Sequence, residues 1–123
     1  MATSTIPSEM ALINSAMTPQ IIQLTNGPEY SLLNHVYNAD CVKIGRMCIL
    51  NLDIKFGDVG SRDQAIIYNI PSGSMPKNKS RGALTIWGSN GLSVVISVTG
   101  DTVTILYPKS NTEYAGQVIW YTD

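Results

Sequence analysis

Charge is scarce in this sequence. Of 123 residues, eight are basic and nine acidic, 14% in all, and the net charge is -1. A typical domain carries about 25%. Without a basic excess, nucleic acid and anionic membrane surfaces have no electrostatic hold on the chain. Long apolar runs are also missing, so no segment approaches the roughly 18–20 residues of a membrane span. The N-terminus has no basic start leading into an apolar stretch, so it does not read as a signal peptide. Cysteine occurs twice, as Cys41 and Cys48, and histidine once, as His35. Two cysteines are too few for a disulfide scaffold, and no second imidazole or cysteine pair exists to complete a zinc or iron site.

What is there points to a folded domain. Hydrophobic residues make up 44% of the chain, which excludes a disordered class. The length suits a single core that buries roughly 65–70% of the unfolded surface. Polarity comes from Ser, Thr and Asn, about a quarter of the residues, rather than from Lys and Glu. A near-neutral, weakly charged surface suits a protein outside the cytosol or one that covers much of itself in an oligomer.

Two regions separate near Gly27-Pro28. In residues 1–28, Ser8 reads as a helix cap with Glu9 in the first turn, and Met10, Ile13 and Met17 fall at the spacing of one apolar seam, ended by Thr18-Pro19. The spacing predicts a short helix over 9–17, then an extended arm over Ile21 to Leu24. So short a helix is not stable alone in water and must pack on its own domain, on copies of itself or on a larger particle. Residues 29–123 read as strands and turns. Met47 to Phe56 alternates most cleanly, with Cys48, Leu50, Leu52, Ile54 and Phe56 on a dry face and Asn51, Asp53 and Lys55 on a wet one. Further strands are expected over Tyr30–Tyr37, Gln64–Ile70, Gly82–Gly88, Leu92–Thr99, Thr102–Tyr107 and Gly116–Thr122. Turns fall at Asn38–Asp40, Lys43–Arg46, Ser89–Gly91 and Gly100-Asp101. Leu92–Thr99 is nearly continuously apolar and β-branched, as in a strand covered on both faces. Such spacing predicts an all-β fold, an antiparallel β-sandwich of jelly-roll type.

The inventory for catalysis is thin. His35 has no G-x-S-x-G elbow or cysteine motif beside it and reads as a partly exposed strand histidine. The carboxylates lie mostly at turns, and Asp53 sits on a polar strand face, so no acid/base pair is defined. No glycine run makes a phosphate loop. The sequence therefore assigns no catalytic residue, no metal ligand and no cofactor, and reads as a non-enzyme. The aromatics are more suggestive. Trp87 falls opposite Leu84 and Ile86, towards solvent or a neighbouring subunit. Tyr107 and Tyr114 lie in the last third, and Trp120 reads as core. Exposed Trp and Tyr make amphipathic contact surfaces. The loop carrying Tyr107, Asn111 and Tyr114, set against the turn carrying Trp87 and Asn90, is the candidate binding surface.

A set of motifs then suggests a family. Lys43-Ile44-Gly45-Arg46 turns into a long strand. A middle strand ends in Ile70-Pro71-Ser72-Gly73-Ser74-Met75-Pro76. A Gly100-Asp101-Thr102-Val103-Thr104-Ile105 step precedes a terminal aromatic strand. Over residues 30–123 this resembles the C-terminal head domain of tail-fibre and receptor-binding proteins of tailed bacteriophages. The resemblance departs at Gly100-Asp101, where the family has Asp-Gly, and at Met75. It implies a homotrimeric β-sandwich on a virion surface. Such a head binds a host-cell-surface saccharide or protein and has no cofactor. The short apolar-seamed helix expected at 9–17 suits a three-chain stalk or an anchor to other virion proteins through residues 1–28. The alternative expectation is a structural virion protein, a decoration or assembly component without a small ligand.

Overall fold

Period-two patterning decides the architecture. In the strand Met47–Phe56, every second residue from Cys48 to Phe56 is buried, at 0–3% exposure. Each fully buried side chain of this size contributes roughly 1.5–3 kcal/mol, so a one-residue slip in register would forfeit the whole face. The computed structural model describes residues 18–123. They form nine strands: β1 (Gln20–Ile21), β2 (Thr25–Asn26), β3 (Leu33–Ile44), β4 (Met47–Phe56), β5 (Gln64–Asn69), β6 (Ser80–Ile86), β7 (Ser93–Thr99), β8 (Thr102–Leu106) and β9 (Glu113–Tyr121). Short 3-10 turns occupy Tyr30–Leu32 and Ser72–Ser74. The helix expected over 9–17 lies outside the described residues.

The expectation of an all-β antiparallel fold holds. All nine strands join one antiparallel sheet in the order β1-β3-β4-β9-β6-β7-β8-β5-β2, curled into a half-barrel. The strands thus form one continuous hydrogen-bonded sheet, and the order does not establish a jelly roll. Both edges of the sheet are capped by the same stretch of chain. β1 pairs with β3 and β2 pairs with β5, and only residues 22–24 separate β1 from β2. Three linking residues let Ile21 and Thr25 lie at most about 13 Å apart. The two edges must therefore curl towards each other. Hydrogen bonds from Ile22 N–H to Cys41 O (2.9 Å) and from Gly27 N–H to Ile67 O (2.8 Å) hold the crossing.

The core fills the concave side. Trp120, Tyr114, Phe56, Leu50, Ile54, Ile67, Leu84, Ile96 and Ile105 are fully buried there. Phe56 and Tyr114 meet edge-to-face with centroids 5.9 Å apart. The segment 71–76 closes one end, where Ser74 is buried and its carbonyl accepts the Trp120 indole N–H at 2.7 Å. Opposite, Arg62 pairs with Glu29, whose Oε1 accepts the Ile66 N–H at 2.9 Å.

Three local expectations change. No turn forms at Asn38–Asp40: β3 runs unbroken for 12 residues, with register shifts between Leu33 and His35 and between Val36 and Asn38. The extra residues, Asn34 and Tyr37, fall in bulges before this stretch, and Asn38, Ala39 and Asp40 pair regularly with Asp53, Leu52 and Asn51. β7 is covered on both faces only at Ile96–Val98, because Val95 is 38% exposed. Tyr107 does not continue the inward alternation of Val103 and Ile105. It takes a φ of 52°, leaves β8 and is 67% exposed.

Candidate functional site

Strand direction gathers the candidate residues. β4, β6 and β8 run the same way in this sheet, so the loops that follow them emerge at one end. Trp87, Asn90, Tyr107 and Asn111 lie in those loops. Backbone bonds fix three of them: Trp87 N–H to Glu113 O (3.0 Å), Tyr107 N–H to Asp63 O (2.7 Å) and Asn111 N–H to Gly57 O (3.0 Å). Asn111 adopts a φ of 55°, a left-handed conformation that Asn tolerates better than most residues. Trp87, at 76%, Asn90, Tyr107 and Asn111 are all exposed.

Tyr114 departs from that surface. Its ring is fully buried against Phe56, and its hydroxyl oxygen accepts the Lys109 N–H at 2.9 Å. Burial pushes its phenol up from the ordinary value. The residue sits in β9 opposite Ile54, on the inward parity, so it anchors the 107–112 loop from below rather than lining it.

The structure adds neighbours that the sequence did not assign. On the outer face, the ladder aligns His35 with Lys55 and Lys55 with Glu113. The Trp87 N–H bond to Glu113 extends the same row to the exposed indole. His35 also meets Tyr37, edge-on at 4.3 Å between centroids. One step along, Asp53 lies diagonally from Glu113, since Asp53 pairs with Ala115 and Lys55 with Glu113. Partial desolvation raises the Glu113 carboxyl, and its contact with Asp53 raises it further, while Lys55 and His35 pull it back. Asp53 Oδ1 is buried with no donor among the described residues. A proton held between the two carboxyls would supply one. Only the wet face of β4 was visible in the sequence. The register that sets Glu113 and Trp87 beside it pairs strands about 60 residues apart, and no local motif encodes that.

A cavity of about 430 Å³ lies where residues 21–24 cross between β3 and β5, with Cys41 and Tyr68 among its walls. Burial, and then the Cys48 thiol, pushes the Cys41 thiol up to about 12. It stays protonated at neutral pH and is a poor nucleophile. Cys48 is also raised by burial. Both cysteines are free. Among the described residues, no group of three His, Cys, Asp or Glu side chains could hold a metal ion, and no helix is long and apolar enough to cross a membrane.

No protein-family model matches the chain, and no curated protein gives a significant match.

Proposed function

We propose that this chain is an adhesion module, a homotrimeric virion head that recognises a saccharide or protein on a host-cell surface. The observation that carries the reading is the Trp87 indole, 76% exposed yet tied through its backbone to Glu113. An exposed indole on a fixed strand end supplies a rigid apolar face at low entropic cost. Glu113, Lys55 and His35 continue the row with polar groups of both charges. A sugar ring uses such a pairing, with its C–H face on the indole and its hydroxyls on the charged groups. The tail-fibre resemblance of residues 30–123 supports the virion setting and the trimer.

The test is host-cell and glycan-array binding by the full chain and by Trp87→Ala. The variant should fold as the parent does, keep its native mass and lose at least tenfold in binding. Unchanged binding would remove Trp87 from the site. Loss of the oligomer in this variant would make Trp87 a subunit contact instead.

The second reading, a decoration or assembly protein, draws on a different feature. Ile21, Val42, Ile49 and Ile119 are successive cross-strand partners and form one apolar row across the outer face of β1-β3-β4-β9. Ile21 is 80% exposed and Ile119 37%. If copies of this chain cover the row, Ile119→Lys should turn an oligomer into a monomer by light scattering. Assembly that depends on this row, with no glycan bound by either form, favours the structural reading.

A further inference from the structure

The other side of the half-barrel carries a second concavity. It is a cavity of about 300 Å³ on the outer face of β6-β7-β8-β5. Its floor is a two-by-two array of hydroxyls on adjacent strands, with Ser97 opposite Thr104 and Thr99 opposite Thr102. Residues on the outer face of a sheet ordinarily stand in solvent. Ser97 and Thr104 are each only 8% exposed. Ser97 Oγ and Thr99 Oγ1 lie 3.4 Å apart, and the Thr102 hydroxyl donates to Thr99 O at 2.8 Å. Thr104 is more than nine-tenths buried as a residue and lines the cavity.

The rim is positive. Arg81 stands directly across from Ser97, and Lys79 lies two residues before it. Neither forms an ion pair among the described residues, where the one bridge is Arg62 to Glu29. No carboxylate lines the cavity. Two uncompensated cations beside four hydroxyls therefore share one small concavity in a protein that has few charges to spend. A guanidinium presents a planar fork of donors to an oxyanion, and an ammonium adds a movable point charge. The hydroxyls can both donate to and accept from a polyol.

We propose that this cavity binds an oxyanion-bearing polyol, a carboxylated or phosphorylated sugar unit. Arg81 and Lys79 hold the anion, and Ser97, Thr99, Thr102 and Thr104 hold the hydroxyls. The inference goes beyond the adhesion reading and does not rest on Trp87, which follows the opposite end of β6 from Arg81.

The experiment is an amide-shift NMR titration of the full chain with sn-glycerol 3-phosphate, glucuronate, inorganic phosphate and glucose. Saturable shifts at Ser97, Thr99, Thr102 and Thr104 are expected with the first two probes. Arg81→Gln and Lys79→Gln should each weaken them at least tenfold while leaving the rest of the spectrum in place. Whichever of the two anionic probes binds more tightly identifies the oxyanion. Trp87→Ala should leave these shifts unchanged, so failure at one site is distinguishable from failure at the other. Three results would overturn the proposal: no saturable shift with either anionic polyol, shifts that survive both charge removals, or equal binding of glucose. Inorganic phosphate binding as tightly as glycerol 3-phosphate would overturn the polyol part.

Discussion

The indole of Trp120 donates to the carbonyl of Ser74 across 46 residues of sequence and 2.7 Å of space. This bond joins the last strand to the 71–76 segment that closes one end of the barrel. Cys48 lies at the same carbonyl, its sulfur 3.9 Å away. The relationship explains why a Pro-bracketed loop with few apolar side chains stays seated. Its backbone is held from inside the core.

Trp120→Phe keeps an aromatic ring but leaves the Ser74 carbonyl buried without its donor. Loss of that bond and of side-chain volume should cost about 2–4 kcal/mol, read as a lower urea midpoint with an unchanged slope. Trp87→Phe, at an exposed position, should stay within about 0.5 kcal/mol. Iodide should quench the emission of Trp87 and spare that of Trp120. Equal quenching of both would mean that the core around Trp120 is open.

The Asp53–Glu113 contact makes stability depend on acidity. Glu113 is raised above the ordinary carboxyl value of 4.5, first by desolvation and then by Asp53. The folded state therefore holds a proton that the unfolded chain has already released. Stability from this pair is complete below the unfolded value and is lost as pH rises through the folded one. Urea midpoints taken between about pH 4 and pH 7 should fall faster with pH in the parent than in Glu113→Gln. The difference between the two proteins isolates this pair from the other carboxylates. Parallel curves would show that the two carboxyls do not share a proton.

The residues that were legible in the sequence are those whose neighbours lie close along the chain. β4 was readable to the residue because its alternation is local and one face is entirely dry. The turns at Gly45, Ser89–Gly91 and Gly100 were readable through their turn chemistry. Asn38–Asp40 misled because turn-type residues also fit the polar face of a strand, where Asn38 and Asp40 pair with Asp53 and Asn51. Tyr107 and Tyr114 have the same chemistry, yet one is exposed and one buried. The two differ in whether a long-range partner fixes the parity of the strand. Tyr114 is locked opposite Ile54, whereas Tyr107 stands just past the end of its ladder. The charged row of His35, Lys55 and Glu113 exists only once β3, β4 and β9 are in register, and no window of sequence contains it. The hydroxyls of Ser97, Thr99, Thr102 and Thr104 do lie close along the chain, in the β7–β8 hairpin, but the Arg81 that faces them comes from β6.

The spacing of β6 and β9 sets the position of Trp87, because the indole-bearing residue bonds to Glu113 at the end of that pair. Two inward-facing glycines allow the spacing. A Cβ on Gly82 would meet Gln117 O at 2.5 Å and Val118 Cα at 3.2 Å, and one on Gly116 would strike Ala83 O and lie 3.2 Å from Leu84 Cα. The obstructing atoms are backbone, so no side-chain rotation relieves them. The strands themselves must part. Gly82→Ala and Gly116→Ala should each cost about 1–3 kcal/mol, the range of overpacked cores. Gly73→Ala, with nothing within 4 Å, should stay within about 0.5 kcal/mol. The two costly substitutions flank the same stretch of ladder, where Leu84 faces Gly116 and Ala83 faces Gln117. Once the strands have parted for one methyl group, the second meets less resistance. The double variant should therefore lose measurably less than the sum of the singles. Strict additivity would mean that each methyl group is accommodated by its own local shift, with the β6–β9 spacing unchanged.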